Sequence, residues 1–149
     1  MILNIKPAVK SNLDEIVQAV NSSAGNHAPD KAFFADSLCT SEFTSVVVCD
    51  KVVQGVCVCT DSQVPDGCEV AAIYIADGFQ RMGLGRKLLS YSLREMRSKR
   101  YKSAFLWISE KSVDAIAFFK KFGFESDGKK RKNIDENGYY NELRYRIDI

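Results

Sequence analysis

Residues 80–86, with the sequence Gln-Arg-Met-Gly-Leu-Gly-Arg, connect a strand-like apolar run to a long amphipathic helical pattern. The run before them, Glu69 to Ile75, is almost continuously apolar and of strand length, which predicts a central strand covered on both faces. From Arg81 onward, leucines and a methionine recur on one helical face, and basic residues gather at the C-terminal end, where they suit the helix dipole. The rest of the chain is interpreted around this order of strand, turn and helix.

The glycines of this segment predict a site for an anion. Backbone N–H groups at a helix N-terminus lack an intrahelical partner and point outward with the positive end of the dipole. Gly83 and Gly85 have no Cβ to keep a phosphate away from the main chain, and Arg81 and Arg86 add positive charge. The alternative, a tight turn whose glycines serve packing alone, stays open at this point.

Two other phosphate-binding motifs fit the segment poorly. A P-loop requires Lys and then Ser or Thr after its second glycine, but Leu84-Gly85 follow Gly83. The dinucleotide fingerprint requires a third glycine, and the sequence after Gly85 reads Arg-Lys-Leu. The pattern therefore excludes a nucleoside triphosphate site and gives little support to a dinucleotide site.

The flanking sequence predicts one α/β domain spanning residues 1–149. The chain has 149 residues, of which 46% are hydrophobic and 27% charged, values typical of one packed globular domain. A strand (2–6) and two helices precede a β-hairpin formed by residues 44–49 and 52–59. After the long helix come a strand (103–108), a helix (112–122) and two closing strands. This order predicts a mixed sheet with helices on both faces.

Composition restricts the partners and the compartment. A net charge of +2 is too small to imply nucleic acid as a partner. The chain begins without a basic leader and has no run long enough to span a bilayer, so we expect a cytoplasmic protein with no membrane partner. One histidine and no CxxC pair argue against a metal site. Buried thiols without disulfides are expected for the five cysteines, Cys39, Cys49, Cys57, Cys59 and Cys68.

Two separate patterns make the sequence resemble the GNAT superfamily of N-acetyltransferases. The family pattern Q/R-x-x-G-x-G/A is met by Gln80, Gly83 and Gly85. The second pattern, N-x-x-A-x-x-F-Y-x-x-x-G-F, is met by Ala115, Phe118, Gly123 and Phe124, with Ser112 in the Asn place and Phe119 in the Tyr place. The resemblance covers the chain from about residue 2 to residue 149.

The resemblance implies a mixed, mostly antiparallel sheet of six to seven strands flanked by about four helices. Its fourth strand would splay from its fifth and open a V that receives acetyl-CoA as cosubstrate, with no metal. The pantetheine arm would pair with the backbone of Ile73 and Ile75, near Ser112 and Phe119. The pyrophosphate would lie on the backbone amides of Arg81, Met82, Gly83, Leu84, Gly85 and Arg86, and Gln80 would be a further cofactor-binding residue.

The activity implied is transfer of an acetyl group from acetyl-CoA to a primary amine of a small molecule, protein or peptide by direct attack. An alkylammonium, with a pKa of about 10.4, must lose a proton before it attacks. Glu69 is the candidate base, because many family members carry a glutamate at the start of the splayed strand. Phe119 cannot donate a proton as the usual tyrosine does, so Tyr74 is the candidate acid, with Tyr139 or Tyr140 as alternatives.

Other interpretations stay open. The loss of a tyrosine at Phe119 also fits a CoA-binding sensor or interaction module without turnover. His27, in a polar loop, is a second candidate base or a surface residue without a role. The basic run 129–132 predicts a solvated hairpin edge, and binding of nucleic acid or of the 3′-phosphate of CoA are the alternatives.

Residues 79–86 resemble bacterial ribosomal-protein N-terminal acetyltransferases, but Trp107 replaces their glutamate base. Pairing of the last strands leaves a homodimer open, and the acceptor is unassigned.

Overall fold

A computed structural model describes residues 1–24, 28–40 and 43–149 of the chain. Within these ranges the strands are β1 (Leu3–Pro7), β2 (Phe43–Cys49), β3 (Val52–Asp61), β4 (Gly67–Ile75), β5 (Ser103–Ser109), β6 (Glu125–Asp135) and β7 (Gly138–Asp148). The helices are α1 (Leu13–Ala24), α2 (Lys31–Thr40), α3 (Leu84–Ser98) and α4 (Val113–Phe122), with a short 3-10 turn at Lys10–Asn12.

The strands form one mixed sheet in the order β1-β2-β3-β4-β5-β7-β6. All neighbouring pairs are antiparallel except β4 and β5, which are parallel and are joined through α3. The predicted mixed sheet, with its four helices and its splay between the fourth and fifth strands, is confirmed. The helix predicted from Arg81 onward begins at Leu84, because Arg81 and Gly83 have positive φ angles of 65° and 75° that no right-handed helix accommodates.

Two hydrophobic clusters lie on opposite faces of the sheet. On one face, Val56 and Val58 of β3 pack with Ile16 of α1 and Phe34 of α2. On the other face, Cys57 and Cys59 of the same strand pack with residues of α3 and with Phe124. We call these the α1 face and the α3 face. On the α1 face, α1 packs on β3 and β4, and α2 packs on β2. The part of the sheet formed by β5, β7 and β6 therefore lies to one side of both helices.

Several sequence-based expectations can be compared with the structure. Four of the cysteines are buried as expected, Cys39 is exposed, and all five are free thiols. The basic run 129–132 lies on the edge strand β6, every residue of which is exposed, so the predicted solvated edge is confirmed. His27 lies outside the described residues. No helix in the described part of the chain is long and apolar enough to cross a membrane.

Gly55 of β3 allows the close approach of β2, β3 and β4 at one end of the sheet. A Cβ at this position would lie 2.6 Å from Ile75 Cδ1, 2.7 Å from Val47 Cγ1 and 3.1 Å from the Tyr74 carbonyl oxygen. We expect Gly55→Ala to lower the free energy of unfolding by about 1–3 kcal/mol, because overpacking forces neighbouring atoms to move. Urea unfolding measures this, with the exposed Gln63→Ala as a control expected to stay within about 0.5 kcal/mol of wild type. Equal stability of the two variants would contradict the prediction.

Candidate active site

The parallel strands β4 and β5 stay together over only a short distance. Residues 67–69 pair with residues 103–105, and beyond Glu69 and Phe105 the two strands diverge. We call the wedge between the rest of β4 and the rest of β5 the cleft. Within the described ranges, the strand edges that line the cleft have no strand partner, and backbone polar groups removed from water need a hydrogen-bond partner. The cleft therefore suits an extended ligand that can pair with main chain.

A β-bulge in β4 decides which side chains face each side of the sheet. Val70 and Ala72 pair with consecutive residues of β3, which leaves Ala71 between them without a partner. After the bulge, Ile73 and Ile75 lie on the α3 face. Tyr74 lies on the α1 face, where it packs against the second cluster. Glu69, which alternates with the α3-facing Val70, is on the α1 face as well.

The turn from β4 into α3 leaves main-chain donors exposed. Gly78, Arg81 and Gly83 all have left-handed backbone conformations, with φ angles of 86°, 65° and 75°. Gly83 is the N-cap of α3, and no side chain caps the helix there. Gln80 ties the turn to the strand, because its Nε2 donates a hydrogen bond of 3.2 Å to the Ile75 carbonyl oxygen. A concave backbone of this kind at a helix N-terminus is an anion-binding geometry.

A cavity of about 370 Å³ opens beside this turn, at the end of the cleft. It is lined by Ile75, Phe79, Gln80, Arg81, Gly83, Leu84, Gly85, Arg86 and Phe118. A Cβ on Gly85 would lie 3.5 Å from the Phe118 ring, in ordinary contact, and one on Gly83 would meet nothing within 4 Å. The structure thus brings seven of the eleven predicted cofactor residues to one cavity.

The other four predicted cofactor residues do not line this cavity. Met82 is 46% exposed on the turn, and Ile73 lies further back along the same face of β4. Ser112 is the exposed N-cap of α4 and makes no side-chain capping bond. Phe119 is only 5% exposed and packs edge-on against Phe124 in the core.

Sequence reasoning did not assign Phe118 to the site, although it lines the cavity beside Gly85. Phe118 is one of the residues that match the second family pattern, so a signal was present. The pattern covers both Phe118 and Phe119, however, and does not say which of the two rings faces the cavity. Helical geometry then turns one ring toward the cavity and the next into the core.

Glu69 provides a carboxyl group at the point where the strands part. Burial raises the pKa of this carboxyl, although the nearby Arg131 cation opposes the shift and Glu142 adds to it. Within the described residues its carboxylate has neither a hydrogen bond nor an ion pair. Burial also raises the pKa of Tyr74, which lies on the same face. The predicted base and the predicted acid are therefore both on the α1 face, away from the side chains that line the cavity.

A layer of aromatic and guanidinium groups continues the α1 face from Glu69 across β5, β7 and β6. The Arg131 guanidinium carbon lies 4.4 Å from the centre of the Trp107 ring, and that of Arg144 lies 5.5 Å from the centre of the Phe105 ring. Sequence reasoning treated these residues separately. They meet because Trp107 pairs with Arg144 and Arg131 pairs with Glu142 in the sheet register.

A match to a family model, together with this fold, places the chain in the class of GNAT acetyltransferases. The family model described as acetyltransferase (GNAT) family matches residues 12–124, and the chain belongs to this family. The probable N-acetyltransferase Rv2775 of Mycobacterium tuberculosis is 35% identical to it over 65 residues. That match covers 44% of this chain, and the matched segment spans about a third, 36%, of the length of the relative.

Two solved structures show how widely the fold is shared. The ribosomal-protein-S18-alanine N-acetyltransferase from Escherichia coli superposes with a TM-score of 0.86 at 18% identity, covering 99% of this chain and 94% of its own. Ard1 from Thermoplasma volcanium superposes with a TM-score of 0.87 at 17% identity, covering 100% of this chain and 99% of its own. At these identities the likeness concerns the fold alone.

The raised pKa of Glu69 predicts a pH-dependent effect on stability. In the unfolded chain this carboxyl ionises near its ordinary pKa of about 4.3, whereas the native group holds its proton to higher pH. Its contribution to stability is therefore complete below that value and is lost as pH rises through the native pKa. We expect the melting temperature of Glu69→Gln, relative to wild type, to be higher at pH 7 than at pH 4. Thermal melts at both pH values measure this, and a constant difference would contradict it.

Proposed function

We propose that this protein transfers an acetyl group from acetyl-CoA to a primary amine by direct attack of the amine on the thioester. The observation that carries this proposal is the position of two groups along β4. A turn with the geometry of an anion site lies at the end of the strand, and the carboxyl of Glu69, which has no partner among the described residues, lies where β4 leaves β5. Membership of the acetyltransferase family supports the same activity.

The cavity beside the turn suits the diphosphate of the donor. Outward amides at the start of α3 can donate hydrogen bonds to it, and the side chains of Arg81 and Arg86 add charge. The unpaired edge of β4 can form main-chain hydrogen bonds with the amides of a pantetheine arm. The carbonyl oxygen of Ile75 already accepts one hydrogen bond, from Gln80 Nε2.

Glu69 has the features of a general base. Its partial burial makes it more basic than an exposed carboxylate, and no partner in the described chain competes for its proton. The base takes one proton from the ammonium, and the neutral nitrogen then forms a bond to the acyl carbon as the carbon–sulfur bond breaks. The nitrogen then gives its extra proton to the departing thiolate, so that the products are a neutral amide and a free thiol. A thiol with a pKa of about 8.5 can leave as the thiolate, so the absence of a hydroxyl at Phe119 does not prevent turnover.

Direct attack agrees with the positions of the cysteines. Cys49, Cys57, Cys59 and Cys68 are buried in the α3-face cluster, and Cys39 is on α2. None of them lines the cavity beside the turn, so no thiol is placed to carry the acyl group. The amine and the thioester must therefore be held together in one complex.

A CoA-binding sensor without turnover is the second candidate. The observation that favours it is the position of Phe119, whose ring is buried in the core and whose side chain has no proton to donate. A sensor would bind acetyl-CoA but release no thiol with any amine. Thiol release in a screen of primary amines therefore separates the two candidates.

Replacing Gly85 by alanine tests the anion site without straining the fold. Its Cβ makes only ordinary contact with Phe118, and alanine stabilises a helix relative to glycine, so the apo protein is expected to melt at the same or a slightly higher temperature. The methyl group would narrow the approach to the main chain and weaken acetyl-CoA binding by about tenfold or more. Melting temperatures measured over a series of acetyl-CoA concentrations give the affinity, and Arg94→Ala, at an exposed position on the same helix, is the control. Unchanged affinity would mean that the glycines serve the turn alone.

Replacing Glu69 by glutamine tests the base. We expect kcat/KM to fall by about 10²–10⁴, because the variant cannot take a proton from the ammonium. The acid limb of the wild-type pH profile should disappear with it, while the thermal shift with acetyl-CoA remains. Glu136→Gln in the turn between β6 and β7 is the control. Wild-type activity in Glu69→Gln would remove Glu69 from the mechanism.

A further inference from the structure

Trp107, Arg131 and Arg144 form a guanidinium–indole layer on the part of the α1 face that lies beyond the helices. The guanidinium carbons of Arg131 and Arg144 lie 4.4 Å and 5.9 Å from the centre of the Trp107 ring. Cation–π contacts of this kind, together with the Nε hydrogen bond of each arginine, favour one position of the guanidinium group. The layer is therefore a preorganised array of N–H donors.

Each arginine uses only part of its hydrogen-bonding capacity. The Arg131 Nε donates to Glu142 Oε1 at 2.7 Å, and the Arg144 Nε donates to Asp127 Oδ2 at 2.5 Å. The terminal Nη groups of both side chains donate no hydrogen bond within the described part of the chain. A guanidinium group has five N–H donors, so most of those on each arginine are left for another acceptor.

Arg131 is the more accessible of the two. Its side chain is 49% exposed, whereas that of Arg144 is 17% exposed. Glu142 also accepts a hydrogen bond of 3.2 Å from Asn133 Nδ2, so the carboxylate that holds Arg131 is itself held in place. Glu142 and Trp107 thus position Arg131 from two sides and leave its outer end open.

The layer lies next to the proposed base. Glu69 pairs with Phe105, and Trp107 is the next residue of β5 on the same face. Arg131 is close enough for its charge to act on the carboxyl of Glu69. A cation with spare donors and, within the described residues, an anion without a partner therefore lie on one surface, beside the point where β4 and β5 part.

We propose that the acceptor is an amine that also carries a carboxylate, with its nitrogen at Glu69 and its carboxylate on the terminal Nη groups of Arg131. This proposal rests on the proposed acetyltransferase activity and adds the class of acceptor. A molecule with an ammonium and a carboxylate can contact both Glu69 and Arg131, whereas a simple alkylamine has no group that binds Arg131. The fork of donors on an arginine fits the two oxygens of a carboxylate.

A panel of matched acceptors tests the proposal. We would compare β-alanine, 4-aminobutyrate and 6-aminohexanoate with their primary amides, because the series varies the distance between the two charges. Thiol release from acetyl-CoA gives kcat/KM for each. We expect at least one acid to exceed its amide by about tenfold or more, the effect of a hydrogen bond to a charged group.

Three variants locate the effect. Arg131→Gln should bring the ratio of kcat/KM for the acid to kcat/KM for the amide close to one, mainly by raising the KM for the acid. Glu142→Gln retains an oxygen for the Arg131 Nε but removes a competing negative charge, so the ratio should rise. Lys132→Gln, which removes one positive charge from the next residue of β6, should leave the ratio unchanged. The ratio compares kcat/KM for two acceptors in the same variant. A change in the basicity of Glu69 or in the stability of the variant affects both values and therefore cancels in the ratio.

Equal use of acids and amides by the wild type would overturn the proposal, and so would a ratio unaffected by Arg131→Gln. Both results leave the acetyltransferase activity in place, since the amides would still be turned over. Absence of turnover with every amine, together with no thermal shift on addition of acetyl-CoA, would instead overturn the proposed function. The two failures are therefore distinguishable.

Discussion

The separation of β4 from β5 after residues 67–69 and 103–105 is the constraint on which the rest of the molecule depends. The paired ends are fixed in the core, where Cys68 and Ala104 are completely buried. Beyond them the sheet loses a row of interstrand hydrogen bonds, which costs stability unless a ligand or water supplies partners. The backbone groups of that row are free to bind a ligand, because an extended molecule can form the hydrogen bonds that a neighbouring strand would otherwise form.

The bulge at Ala71 divides the cleft into two chemically different sides. Apolar residues such as Ile75 face α3 and lead to the anion-binding turn, whereas Glu69 and Tyr74 face α1. In the reaction we propose, the donor with its phosphates and the acceptor with its amine would therefore approach from opposite faces of one strand. This separation agrees with direct transfer, in which neither molecule has to leave before the other binds.

Much of the fold was predictable from local patterns. Glycines and arginines within residues 80–86 indicated the turn, and apolar periodicity located the strands and helices to within a few residues, because both properties depend on neighbours in the chain. The site was predictable only in part. Phe118 and Phe119 occupy neighbouring positions of the same pattern, yet one lines the cavity and the other is 5% exposed in the core.

The sequence by itself determined the order of the elements, the glycine-containing turn before α3 and the presence of Glu69 at the start of β4, since each depends on a few consecutive residues. Only the tertiary structure decided that Trp107, Arg131 and Glu142 meet beside Glu69. These residues are brought together by the pairing of β5, β7 and β6, in which β6 also carries an irregularity between Ser126 and Lys130. A shift of one residue in that register would turn each side chain to the opposite face, and nothing in the local sequence of any one strand specifies its partner.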